Sequence, residues 1–538
     1  MLEPLAPNRS RRAVVRQKTV LAPVGGWDAA NPLAAMPEDR AVQLDNMMPR
    51  PSYLEIRGGS QVWASAIGSS DVETLMSWNG PASSKMIAAG GGGLYDATLQ
   101  SDATELVTGL TSNRWQHTNF RTSAGSFLYI VNGSDDPRYY NGSSWTTPSI
   151  SGITASNAIN INVHKKRVWF VLKDSTKAAY LATEAVAGTA TEFDVGSQMP
   201  RGGYLMAMGT WSRDGGAGPD DYAVFVSSQG DVVLYQGTDP SSSTTWSLVG
   251  TFFLAPPIGR RCLIRMGGDL LVVTIDGIFA LSKTLDVDRS QINRVAVTEN
   301  ITNAMAEAAR LYRSNDGWQM AVYPRGTMLV LNVPVSGTQF HQYVMNTLTG
   351  AWARFTGWDA RCIHVHNERL YFGGDDGLCY LADEGSMDVT SAIRATVQGA
   401  YSAFDTPQIK RFTMLQPLIV AANIAAPQIG ISLDFAETST LSTPTTVAAG
   451  GAKFDSAVFD VDVFGASESI INDWSSPVGI GRFASIKFIA ETRETDVAQG
   501  SLWGFGTFDD ALWGDTGESD QTFRINGFSV LYEPGGAI

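Results

Sequence analysis

Between residues 53 and 383 the apolar positions fall in short runs. Each run is broken by a turn of Gly, Asp, Asn or Ser and followed by a second short run. The unit recurs as KMIAAGGGGLYDAT (85–98), SFLYIVNGSDDPRYYNG (126–142), RVWFVLKDSTKAAYLAT (167–183), YAVFVSSQGDVVLYQGT (222–238), DLLVVTIDGIFALSKT (269–284), GTMLVLNVPVSGTQFHQYVMN (326–346) and RLYFGGDDGLCYLAD (369–383). With Ile87, Phe127, Val168, Ala223, Leu270, Met328 and Leu370 as markers, the steps are 40, 41, 55, 47, 58 and 42 residues. A period of about 45 residues with four short strands in each is what a β-propeller blade requires. A single four-stranded meander cannot bury both faces, whereas radial stacking covers each face with the next blade. Runs such as Leu128-Tyr129-Ile130-Val131 are apolar without alternation, as strands covered on both sides are. Asn132-Gly133, Asn141-Gly142, Gln229-Gly230, Asp276-Gly277 and Asp376-Gly377 supply hairpin turns. The pattern predicts an all-β chain with a propeller of six or seven blades; a stack of ordinary β-sandwiches is the rival architecture.

Outside the repeat the pattern changes. In residues 25–59, Pro37-Glu38-Asp39 reads as the start of a short helix with Ala41, Leu44 and Met48 on one face. Pro49-Arg50-Pro51 would end it, and a strand over 53–57 would then enter the sheet. Residues 298–312 predict an amphipathic helix capped by Thr298, with Ile301, Met305, Ala308 and Tyr312 along one stripe and its own blade beneath. Residues 386–538 lose the beat but keep strand-like runs at 412–420, 428–435, 483–489 and 523–532, with a flexible loop over 440–451. The expected division is an N-terminal arm and short helix (1–52), the propeller (53–385) and a C-terminal β-sandwich-like domain (386–538).

Composition narrows the function classes. A chain of 538 residues is expected to form two or three domains and to bury enough surface without disulfides or metal. The net charge of −14 argues against a nucleic-acid coat, though not against a conduit that nucleic acid traverses without adhering. Charged residues make up only 17% and aromatics 10%, which suits a subunit that buries surface against neighbours. Cys262, Cys362 and Cys379 lack metal or redox spacing and read as reduced core thiols. With no apolar run long enough to span a bilayer and no charged start before an apolar segment, neither a membrane-spanning segment nor a leader is expected.

The search for chemistry returns little. There is no G-x-S-x-G elbow and no P-loop, and Gly90 to Gly93 joins two strands rather than a strand and a helix. His364 and His366 alternate and could share one strand face, with Asp375 and Asp376 ten residues on. Such a spacing arises readily by chance among five histidines, so no metal ligand is assigned. Ser314-Asn315-Asp316-Gly317-Trp318 approaches the sialidase blade box but has its Gly one place early and its Trp two. No catalytic or cofactor-binding residue is assigned and no cofactor is expected. Two stretches suit assembly. Arg9, Arg11, Arg12 and Arg16 form a basic arm that is either frayed or docked on an acidic neighbour. Trp503, Phe505, Phe508 and Trp513, among Asp509, Asp510 and Asp515, form either a partner-binding loop or a self-packed cluster.

Several phrases carry a resemblance. Gly25-Gly26, Pro37, Asp39-Arg40-Ala41, Leu44-Asp45-Asn46, Pro49 and Arg57-Gly58-Gly59 resemble the opening of the tail nozzle proteins of short-tailed bacteriophages, the tail tubular protein B family. Arg114-Trp115-Gln116 with Asn119-Phe120, Val131-Asn132-Gly133, Lys410-Arg411-Phe412-Thr413-Met414 and Tyr532-Glu533-Pro534-Gly535-Gly536 resemble further phrases of that family. The chain is shorter than the long members, which carry inserted domains. The resemblance implies a structural virion protein, a hexameric ring below a dodecameric adaptor (connector), with tail fibres nearby and a gated lumen through which genomic DNA passes. It places the protein in the virion tail, and in the host cytoplasm during assembly, without enzymatic activity. The competing expectations are a carbohydrate-binding or carbohydrate-cleaving propeller of a tail or cell surface, and a propeller scaffold that works as a monomer.

Overall fold

A computed structural model describes residues 14–68, 70–214, 219–284, 295–421, 427–436, 440–443, 469–492 and 523–534. Packing divides the chain into two units: Gly59–Gly350 with Phe355–Glu384, and Met1–Gly58 with Ala351–Arg354 and Gly385–Ile538.

The first unit is a propeller of seven blades. Its innermost strands are Val72–Asn79, Gln116–Thr122, Ala158–His164, Leu205–Asp214, Leu263–Met266, Gln319–Tyr323 and Cys362–His366. Each packs against the next, and the last packs against the first, so the ring closes. Closure is completed at the rim, where Ser60–Ser65 pairs antiparallel with Cys379–Ala382 and joins the start of the unit to its end. All seven sequence markers lie in the second strand of a blade: Ser84–Gly90, Gly125–Val131, Arg167–Leu172, Pro219–Ser227, Asp269–Thr274, Met328–Pro334 and Arg369–Gly373. The fifth blade has three strands among the described residues, ending in Gly277–Ala280.

The reason for the unbroken apolar runs is visible in Pro219–Ser227. Ala223 and Phe225 pack with Trp169, Val171 and Trp246 on one face. Val224 and Val226, on the other face, pack with Leu270, Val272 and Phe279 of the next blade. Side chains alternate but both faces are covered, so both sets are apolar. Aromatic stacking adds direction, with Trp169 over Trp246 at 5.7 Å and 19°. Turn chemistry holds the hairpins: Gly230 sits at φ +85°, and a Cβ there would strike the carbonyls of Leu254 and Ala255.

The helix expected over 298–312 is present as Thr302–Tyr312, preceded by a 3₁₀ turn, Glu299–Ile301. Met305 and Ala308 are buried in it, and it packs on Gly277–Ala280 and Met328–Pro334 of the same unit. Thr298 is not its cap. Its hydroxyl accepts the Ile278 amide at 3.1 Å, so the residue tethers the segment to the fifth blade instead.

The second unit joins the two ends of the chain. Arg16–Leu21 pairs with Phe523–Pro534 from Arg16 opposite Tyr532 to Leu21 opposite Gly527, and Lys410–Ala421 flanks the same strand. In the other sheet Arg40–Asp45 lies beside Arg394–Gly399, followed by Ala484–Glu491 and Gln428–Leu433. Phe488 of that sheet stacks on Phe523 of the first at 5.6 Å.

Three expectations are corrected here. The short helix opened by Pro37 is absent, and Arg40–Asp45 and Met47–Pro49 are strands. A bulge between Ala41 and Gln43 puts Ala41 opposite Gly399 and Leu44 opposite Val397, so two residues three apart share a face. That spacing reads as helical in sequence, and the bulge is its cause. The strand expected over 53–57 is Leu54–Ile56, and it pairs with Met47–Pro49 and Phe523–Pro534 rather than entering the propeller. Part of the loop expected over 440–451 is a strand, Thr440–Ser442, paired with Gln428–Leu433; residues 444–451 lie outside the described residues.

Candidate functional site

The innermost strands of the propeller begin at one end of its channel, and a cavity of about 440 Å³ opens there. Its charged lining comes from residues at or just ahead of those strands: Glu73, Arg114, Arg260, Arg261 and Arg361, with Asp316 ahead of the Gln319 strand. Four arginines therefore face two carboxylates, in a chain whose net charge is −14.

The arginines are not equivalent. Arg114 donates to Glu73 at 2.8 Å and also pairs with Asp316, which neutralises it twice. Arg361 pairs with Asp71 at 2.9 Å and lies over the Phe340 ring, but its Nε is buried and has no partner among the described residues. Arg261 is fixed by neutral acceptors: Nη1 donates to Gln319 Oε1 at 3.0 Å, and Nη2 to Thr74 Oγ1, Glu73 O and Trp115 O at 2.6, 3.0 and 3.2 Å. Desolvation disfavours its charged form and lowers its pKa. Arg260 is exposed and donates only through Nη1, to Asn132 O at 3.3 Å, among the described residues. That carbonyl is held in place because the Asn132 side chain accepts the amides of Ser134 and Asp135.

Histidines line the channel beyond this mouth. Ser77 Oγ lies 2.7 Å from both His364 Nε2 and His366 Nδ1. The His117 ring meets the His364 ring edge-on at 5.6 Å. Burial, helped by the Arg261 charge, pushes His117 down to about 4, and burial likewise lowers His364 and His366. At the end of Ala158–His164, His164 is also lowered to about 4 by burial and contacts Thr210 Oγ1 at 3.2 Å. These rings are neutral at pH 7 and serve as hydrogen-bonding fillers.

The paired histidines do share a strand face, but the carboxylates expected near them do not join them. Asp376 instead accepts from the Leu378 amide and Tyr380 hydroxyl of its own turn. Among the described residues no His, Cys, Asp and Glu cluster is placed to hold a metal. The three cysteines are free and buried, and burial raises Cys262 to about 12 and Cys362 to about 11. The sialidase-like text lies at the cavity, where Asn315, Asp316, Gly317 and Trp318 form part of the wall.

Of the expected assembly residues, Arg16 starts the strand Arg16–Leu21 and is exposed. Arg9, Arg11, Arg12, Trp503, Phe505, Phe508 and Trp513 lie outside the described residues. The arginines of the cavity were missed as a group in the sequence. Their signal is positional: Arg114, Arg261 and Arg361 each stand one or two residues ahead of an innermost strand.

Of the phrases that carried the family resemblance, those around Arg114 and Asn132 lie in the propeller, and the others supply structural joints of the second unit. Arg57 is fully buried, donates to Asn46 Oδ1 at 2.9 Å and pairs with Asp388. Asn46, at φ +56°, donates to Arg394 O at 2.9 Å, and Asp45 receives Arg354 through two bonds of 2.7 and 2.8 Å. Lys410 donates to the carbonyls of Thr406, Gln408 and Arg482, and the Tyr532 hydroxyl donates to Phe404 O.

No family model matches the sequence. No curated protein matches it either. Among solved structures the chain is similar to the WD40 β-propeller domain of Doa1, at 12% identity and TM-score 0.37, covering 60% of this chain and 97% of that one. It is also similar to BBS1N from its complex with ARL6DN (10%, TM-score 0.38, 62% and 97%) and to streptogramin B lyase (11%, TM-score 0.35, 68% and 97%).

Proposed function

We propose that this chain is a structural subunit of a short phage tail, a nozzle protomer that assembles as a six-membered ring below an adaptor, carries fibres nearby and leaves a lumen for genomic DNA. What carries the reading is the placement of the resemblance. Asp45, Asn46, Arg57, Lys410 and Tyr532 come from phrases far apart in the chain, yet each is a buried polar anchor of one unit. Residues shared with a family for such a reason imply a shared way of tying the chain's ends together. An exposed apolar strip also suits assembly: Trp474, Val478 and Ile480 are exposed beside Lys410–Ala421, where Ile480 is opposite Arg411. The subunit supplies surfaces and a wall, with no reaction chemistry assigned to it.

The test is immunogold labelling of virions with an antibody against this chain, together with negative-stain images of the purified chain mixed with its adaptor. Label at the tail and rings of six subunits are expected. Unlabelled particles, or a chain that stays monomeric with the adaptor and turns over host polysaccharide, would replace the nozzle with the carbohydrate-active propeller.

A further inference from the structure

We propose that the cavity at the channel mouth binds a small ligand bearing an oxyanion, a phosphate or carboxylate group, gripped by Arg260 above the fixed charge of Arg261. Nothing in the nozzle reading requires this site.

The starting point is an imbalance of charge. Glu73 and Asp316 are both engaged by Arg114, and Asp71 by Arg361. Arg260 and Arg261 have no carboxylate within ion-pair reach among the described residues. A guanidinium surrounded only by neutral acceptors bears a desolvation cost that an incoming anion would offset. Guanidinium forks match the two oxygens of a carboxylate or phosphate, and Arg260 has spare donors with which to make such a fork.

Size and wall chemistry restrict the ligand further. A cavity of about 440 Å³ suits a small molecule rather than a polymer segment. The partly exposed ring of Tyr204, with Met206 beside it, offers an apolar wall to a carbon skeleton. A free phosphate would use the arginines alone, whereas an acidic sugar would use both features.

The experiment is isothermal titration calorimetry of the full chain at low salt with inorganic phosphate, glucuronate and, as the neutral control, glucose. One saturable site per chain is expected for at least one anion and none for glucose, with affinity falling as salt is added. Phosphate binding alone would identify the phosphate source, and tighter glucuronate binding the carboxylate source. Arg260→Ala should weaken binding by about tenfold or more, as loss of a charged hydrogen bond does. Arg260→Lys should restore part of the loss. Arg260 is exposed, so both variants should melt as the parent does, and anion-induced shifts of the parent's melting temperature give a second readout. Absence of saturable anion binding, equal binding of glucose, or unchanged affinity in Arg260→Ala would overturn the proposal.

Discussion

The propeller and the unit built from the chain's two ends both cover apolar sheet faces, but they use the chain in opposite ways. In the propeller, apart from the closing pair Ser60–Ser65 and Cys379–Ala382, strands find their partners nearby in the chain, as Gln116–Thr122 and Gly125–Val131 do. In the other unit Arg16 lies opposite Tyr532 and Asp45 is clasped by Arg354. Loop closure costs grow only logarithmically with length, so such distant pairing is affordable at equilibrium although slow to form. Correct register is the harder demand. The propeller sets it through short hairpin turns, whereas the other unit adds buried polar clamps such as Arg57 on Asn46 and Asp388.

That contrast can be broken at its strongest points first. Trp169→Ala empties a packed site between two blades and should cost about 4 kcal/mol, measured by denaturant unfolding. Amide exchange should rise across residues 158–253 and not across 523–534; a uniform rise would mean that the two units share one cooperative core. Arg57→Ala should cost about 3 kcal/mol, because it removes a fully buried guanidinium together with its bonds to Asp388 and Asn46. Its exchange signature should be the reverse, appearing at 40–58, 394–399 and 523–534.

Acid should separate the units next. All five histidines (His117, His164, His341, His364 and His366) lie in the propeller. His164 is lowered from 6.5 to about 4, so between those values the unfolded chain binds the proton and the native chain does not. Its contribution of up to about 3 kcal/mol is therefore present above pH 6.5, is lost as pH falls toward 4, and changes no further below that. Thermal melts from pH 7 to pH 4 should show the loss, and His164→Gln should reduce it by the share of His164 while His117, His364 and His366 keep theirs. An equal pH dependence in His164→Gln would remove His164 from the account. The smallest effect belongs to the rim of the second unit. Lys18 bridges Glu38 and Asp405 at 3.4 and 3.3 Å with both acids exposed, so Lys18→Ala should cost about 0.5 kcal/mol or less. A larger loss in the same melts would mark the Arg16–Leu21 strand as a structural keystone.

The propeller was legible because its rules are local. Every blade marker from Ile87 to Leu370 fell in a second strand, and the helix at Thr302–Tyr312 followed from its stripe. Misreadings came where a distant partner decided. Ala41 and Leu44 look helical until the bulge against Arg394–Gly399 is seen, and Leu54–Ile56 looks like a first blade strand until Phe523–Pro534 is beside it. Thr298 had the right residue type for a cap but spends its hydroxyl on Ile278. The cavity was illegible as a site because its arginines are spread from 114 to 361, and their spare charge depends on which carboxylates the fold assigns to which partner.

By itself the sequence determined a ring of repeating hairpins, since strand length, turn residues and two-sided apolarity are all encoded within about 45 residues. Only the tertiary structure decided that seven blades close, that the chain's ends share one unit, and that Arg260 and Arg261 stand at the cavity with its two carboxylates paired to Arg114. Those outcomes depend on contacts between residues hundreds apart, whose energies no local pattern records.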